Sequence, residues 1–174
     1  MTTIERIRDK RYPSRVAGRR SPNLVGTIEG TIVAMAVVAG LSESATVSPL
    51  RAFWILLATG AFFWVAHVYA DLLAGRIQGR NRTKRRDVIA VMSREWPLFQ
   101  STFVLAVPLG LGAVGILSRD AALNLAVLVG AGALVGWGIV FSRREGYGFA
   151  GVVGAASVNA TVGLLIIALK VALP

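Results

Sequence analysis

The sequence predicts an all-α fold, a bundle of five membrane-spanning helices, and three observations predict it. The chain has 174 residues, of which 55% are hydrophobic and only 16% charged. With a mean hydropathy of +0.63, this balance suits lipid better than a soluble core. Five apolar stretches reach or approach the ~20 residues a helix needs to cross ~30 Å of hydrocarbon. The basic residues also fall strongly on one side of the five-span map. Cysteine is absent, which excludes a disulfide framework, thiolate metal sites and thiol catalysis.

Residues 1–23 read as a basic arm and residues 24–174 as a membrane domain, with spans expected at about 24–41, 52–75, 97–117, 122–141 and 149–172. The first span is the shortest and contains Glu29. Its Gly26 and Gly30, then Ala36 and Gly40, form two small-xxx-small pairs of the kind that lets membrane helices pack closely. Arg19-Arg20 before this stretch has the look of a twin-arginine signal, but Glu29 breaks the apolar run, so an uncleaved first helix is expected. The second span carries His67 and Asp71 in FFWVAHVYADLLAG.

A basic loop, 76–96, follows. In its second half Val88, Ile89, Val91 and Met92 share one face, which predicts a short helix lying on the membrane surface. Trp96 and Pro97 open the third span, where tryptophan suits the interface and proline the first helical turn. Pro108 leaves the Val104 carbonyl without its helical donor and predicts a kink. Gly132-xxx-Gly136 in the fourth span, with Gly151 and Gly154 in the fifth, predicts tight packing. Asn124, Asn159, Gln100, Ser101 and Thr102 are expected to hydrogen-bond between helices.

Sixteen of the nineteen lysines and arginines lie before the first span, after the second or after the fourth. Only Arg51, Arg119 and Lys170 lie opposite. The positive-inside rule then places the N-terminus in the cytoplasm and the C-terminus outside, and four or six spans would spoil the asymmetry. The expected location is the cell membrane, a bacterial inner membrane. Topology already accounts for the net charge of +10, and no aromatic residues interleave the loop's charges. Anionic lipid headgroups are therefore the expected partner of the arm and loop, and nucleic acid is not.

Ionisable groups inside hydrocarbon are expensive, by ~2.5–3.5 kcal/mol each on insertion scales, and call for a use or a partner. Glu29 on the first span and His67 and Asp71 on the second should lie at matching depth near the cytoplasmic side, with Gly30 letting the two helices approach. His67 and Asp71, at i and i+4, share a helix face. One imidazole and two carboxylates, with Met35 further in, suit a borderline divalent ion such as Fe(II), Mn(II) or Zn(II). Glu29, His67 and Asp71 could instead relay protons, because histidine titrates near neutrality. In the blander alternative Glu29 snorkels, Asp71 pairs with loop arginines, His67 bonds a backbone carbonyl, and Met35 merely packs. The chain is not read as an enzyme: it has one histidine, no nucleophile elbow and no phosphate loop. No resident cofactor is expected.

Certain stretches resemble the vacuolar iron transporter family, including its smaller members without a cytoplasmic metal-binding domain. GTIEGTIVAMAVVAGLS is similar to that family's first helix, with Glu29-Gly30 at its acidic-Gly pair. Ala66-His67-Val68-Tyr69, followed by Arg76 and Gln78, is similar to the Ala-Gly-Glu-Tyr pattern and polar exit of its second helix. GFAGVVGAASVNATVGLLIIAL resembles its final helix. Val68 stands where the family pattern has glutamate, no methionine precedes Ala66 in that span, and the glutamate-rich domain is missing. The resemblance implies export of a divalent metal in exchange for protons by a homodimer, with His67 and Asp71 substituting for the missing ligand. The alternative function is a non-transporting membrane scaffold whose polar groups are satisfied structurally.

Overall fold

Five helices follow one another along the chain: α1 (Leu24–Ser42), α2 (Pro49–Ile77), α3 (Arg85–Ala113), α4 (Arg119–Arg144) and α5 (Phe149–Ala172). The structure, a computed structural model, describes residues 24–77 and 85–172. The basic arm and the middle of the basic loop lie outside the described residues. All five helices are long and apolar enough to cross a membrane. Where water is excluded, a helix must satisfy its polar groups internally. The side-chain hydroxyls follow the same rule: Thr31, Ser42, Thr59, Ser142 and Thr161 each donate to the carbonyl four residues back, at 2.7–2.9 Å.

The stops are local. Gly115 has φ +81° and Gly146 φ +75°, a left-handed conformation that glycine adopts without strain. Around Gly115, the Ile116 N–H donates to Leu111 and the Gly115 N–H to Gly112, at 2.9 and 3.2 Å. Tyr147 and Gly146 repeat the pattern onto Ser142 and Arg143, at 3.0 and 3.3 Å. Both are Schellman caps, which satisfy the last carbonyls of α3 and α4. Ser118 then caps α4, its hydroxyl accepting from the Ala121 N–H.

Packing places α1 at the centre. It touches the other four helices, which run α2, α3, α4, α5 around it with consecutive neighbours in contact. α2 and α5 do not meet. Met35, Val38, Leu56, Leu105, Leu109 and Leu134 fill the core. Successive helices alternate in direction, so Leu24, Ile77, Arg85, Arg144 and Phe149 share one end, here termed the basic end. At the opposite end Arg119 gathers the α1–α2 loop: its Nε donates to the Val47 carbonyl at 2.9 Å, and its Nη2 to those of Ser44 and Ser42 at 2.5 and 3.4 Å. Lys170 on α5 donates to Asn124 on α4 at 2.5 Å, so Asn124 does join two helices, as expected.

Three expectations need correction. The apolar segment Val88–Met92 is not a separate surface helix, and the third helix does not begin at Pro97. One helix runs from Arg85 through Pro97 and Pro108 to Ala113. Close to Pro97 the neighbouring helix is tied on by a side chain: the Trp64 indole donates to the Met92 carbonyl at 3.2 Å. Gly30 does bring helices together, but its partner is α3: a Cβ there would lie 2.2 Å from the Leu98 carbonyl oxygen. Finally, Gly40, Gly132, Gly136 and Gly154 face open space. Gly60, Gly112, Gly130, Gly138 and Gly163 make the close approaches instead.

Candidate functional site

At the basic end, α1, α2 and α3 bring five ionisable side chains to one level. Gly30 seats α1 directly on the backbone of α3, and this contact sets the height of its neighbour Glu29. Across the α1–α2 boundary, Glu29 Oε1 lies 3.1 Å from His67 Nε2. The other ring nitrogen, Nδ1, lies 3.0 Å from the Phe63 carbonyl, one turn back on α2.

This geometry fixes how protons are held. The Phe63 carbonyl can only accept, so Nδ1–H donates to it. If Glu29 is ionised, Nε2–H must donate as well, and the ring is an imidazolium. If the ring is neutral, Glu29 carries the proton and donates it to Nε2. In both cases one proton is held between two helices. Moving it between carboxylate and imidazole needs only a shift along an existing hydrogen bond.

Asp71 does not join this pair. Its Oδ2 accepts from Arg94 Nη2 at 2.5 Å, and Arg94 Nε donates to Glu95 Oε1 at 3.1 Å. Of the expected ligands, then, the structure brings Glu29 and His67 together and turns Asp71 toward α3. Met35 sits two turns along α1 on its core face, fully buried against Gly130. Among the described residues no group of three or more His, Cys, Asp or Glu side chains is gathered closely enough to hold a metal ion.

The sequence reading missed Arg94 and Glu95. Glu95 is only 7% exposed, whereas Glu29 is nearly half exposed. A span that opens at Pro97 leaves both residues in the loop. The missed signal was the i−3 spacing of Glu95 from Leu98, which continues the buried face Leu98, Thr102, Leu105, Leu109 by one turn. With Arg94 included, three carboxylates face one guanidinium and one imidazole.

Beyond the pair lies a narrow crevice between α1, α2 and α3. Its lining includes Gly30, Val37, Leu56, Thr59, Phe63 and Thr102, and its volume is about 10 Å³, room for about one water. Glu29 also stands on the one open stripe of α1. Val25, Glu29, Ala36 and Gly40 are exposed there, in the gap that α2 and α5 leave between them.

Fold and site together define a class: a five-helix bundle of membrane-spanning composition, with a polar cluster at its basic end and a Glu29–His67 contact between the central helix and α2. No family model, curated protein or solved structure matches the chain.

Proposed function

We propose that this chain is a multi-pass transporter of the cell membrane that moves a divalent cation in exchange for protons, with Glu29 and His67 as the exchange point. The observation that carries this reading is the His67–Glu29 contact, 3.1 Å across two helices. A metal ion takes an imidazole only when it is neutral and a carboxylate only when it is ionised, so binding expels the proton the pair shares. Cation and proton thus exclude each other at one place, which is the minimum requirement for coupled exchange. The resemblance of GTIEGTIVAMAVVAGLS to the first helix of vacuolar iron transporters supports the same reading. An imidazole, a carboxylate and water suit Mn(II) or Fe(II), and Asp71 becomes a third ligand only when Arg94 lets go.

By the charge asymmetry of the loops, the basic end faces the cytoplasm. Arg85, Arg86, Arg143 and Arg144 are exposed there and suit anionic headgroups. A second copy of the chain covers the open stripe of α1 in this reading, since a half-exposed carboxylate on a membrane helix calls for cover. A second reading, proton passage without metal cargo, is favoured by one observation: Arg94 holds Asp71 away from Glu29 and His67.

Flux in proteoliposomes tests these readings. Mn(II) entry that is accompanied by proton counterflow in the wild type and lost in both Glu29→Gln and His67→Ala is the expected result. Proton flux alone would favour the second reading. Absence of both fluxes, with a stable partner recovered from membranes, would replace transport with a scaffold role.

A further inference from the structure

We propose that the Asp71–Arg94 ion pair, seated on Glu95, is a latch that holds the basic end of α2 against α3 and so limits access of water to the crevice above the His67–Glu29 pair. This inference rests on the exchange site proposed above and assigns its gate. α2 is held mainly through α3, and its contact with the central helix is thinner. Only four of its residues, Ala52, Leu56, Gly60 and Val68, are buried. At the basic end the ties between α2 and α3 include the guanidinium bridge, the Trp64 donation to the Met92 carbonyl and the ring contacts of Trp64 with Trp96 and Phe99, centroids 5.5 and 6.4 Å apart.

Position makes the bridge a gate. Asp71 lies one turn beyond His67 on the same face of α2, so whatever moves Asp71 moves His67 with it. Phe63, which accepts from His67, also lines the crevice, as do Thr59 and Gly60. Rotating the basic end of α2 away from α3 would therefore widen the crevice and carry His67 with it in one motion. Glu95 gives the latch its fixed seat. It is buried on the core face of α3 and holds Arg94 through Nε, which leaves Nη2 directed at α2. A half-exposed ion pair is worth at most about 1 kcal/mol, or about a fivefold change in population, strong enough to bias a gate and weak enough to open.

The absence of cysteine makes the test clean. Thr59→Cys places one thiol on the crevice wall, and Val153→Cys places a reference thiol on the exposed face of α5. In nanodiscs, the rate of reaction of each with a charged, water-soluble methanethiosulfonate reports wetting. The expected result is a rise of about fivefold at the crevice thiol when Arg94→Gln or Asp71→Asn is added, no rise with Arg94→Lys, and no change at the reference thiol. An unchanged rate at the crevice thiol overturns the latch. So does an equal rise at the reference thiol, which would signal general loosening, or a rise with Arg94→Lys as large as with Arg94→Gln. Because the readout is wetting rather than flux, loss of the transport reading and loss of the latch are separately visible. Wild-type protein without flux, together with the expected thiol pattern in the substituted chains, overturns only the former.

Discussion

Replacing Gly30 by alanine is the sharpest test of how the site is built. A Cβ at this position would stand 2.2 Å from the Leu98 carbonyl oxygen and 2.3 Å from Ser101 Oγ, whereas real Cβ contacts essentially never fall below 3.0 Å. The serine hydroxyl can turn away, although it would lose its own 2.7 Å bond to the Leu98 carbonyl. The Leu98 oxygen belongs to backbone inside a helix and cannot. α1 and α3 must therefore separate by about 1 Å, and overpacking of this kind costs about 1–3 kcal/mol. Because α1 is the hub of the bundle, the upper half of that range is expected, a fall of about 4–12 °C in melting temperature for a chain of this size. Gly40→Ala is the matched control: the same substitution on the same helix meets nothing within 4 Å. In the last turn of α1 it should leave stability unchanged or raise it by less than the about 0.5–1 kcal/mol of a mid-helix position. Thermal unfolding followed by far-UV circular dichroism in nanodiscs gives both numbers. Equal stability of Gly30→Ala and Gly40→Ala would refute the close approach of α1 to α3, and with it the height assigned to Glu29.

Further outcomes follow from the same contacts. Gly130→Ala meets Met35 Cγ at 2.5 Å, but a methionine side chain can move aside, so its melting temperature should fall less than that of Gly30→Ala. Gly115→Ala and Gly146→Ala should each lose about 1–2 kcal/mol of stability in thermal unfolding, because alanine resists the positive φ of a Schellman cap. Arg119→Gln removes charge-assisted bonds to three loop carbonyls, a loss of about 1.5–3 kcal/mol. Faster hydrogen exchange confined to residues 43–48 should report it, and exchange unchanged there would contradict the clamp.

Much of the fold could be read from the sequence, because a helix of lipid-facing composition announces itself through length and hydropathy. The five spans and their order follow from that alone. What escaped depends on neighbours. Pro97 looks like a helix start by its missing donor, but the turn before it, packed through Glu95 onto the same buried face as Leu98, is helical as well, and the helix continues through it. Arg94 and Glu95 looked like loop charge because an apolar window stops at any charge, including charges that satisfy each other. Spacing found the close approach at Gly30 but could not tell which faces meet: Gly40 and Gly132 are open, whereas Gly60 and Gly138 are pressed against neighbours. At the site, matching depth correctly joined Glu29 to His67. It placed Asp71 at the same level but could not foresee that the arginine on α3 would take it.

The central claim is that one pair of side chains holds either a proton or a cation. Proton release on metal binding tests it most directly, measured by titrating Mn(II) into the protein in nanodiscs in weakly buffered solution with a pH-sensitive dye. Release of close to one proton per ion bound is expected in the wild type, as a pair sharing a single proton requires, with binding lost in Glu29→Gln and in His67→Ala. Binding without proton release, or binding undiminished in either variant, would contradict the account.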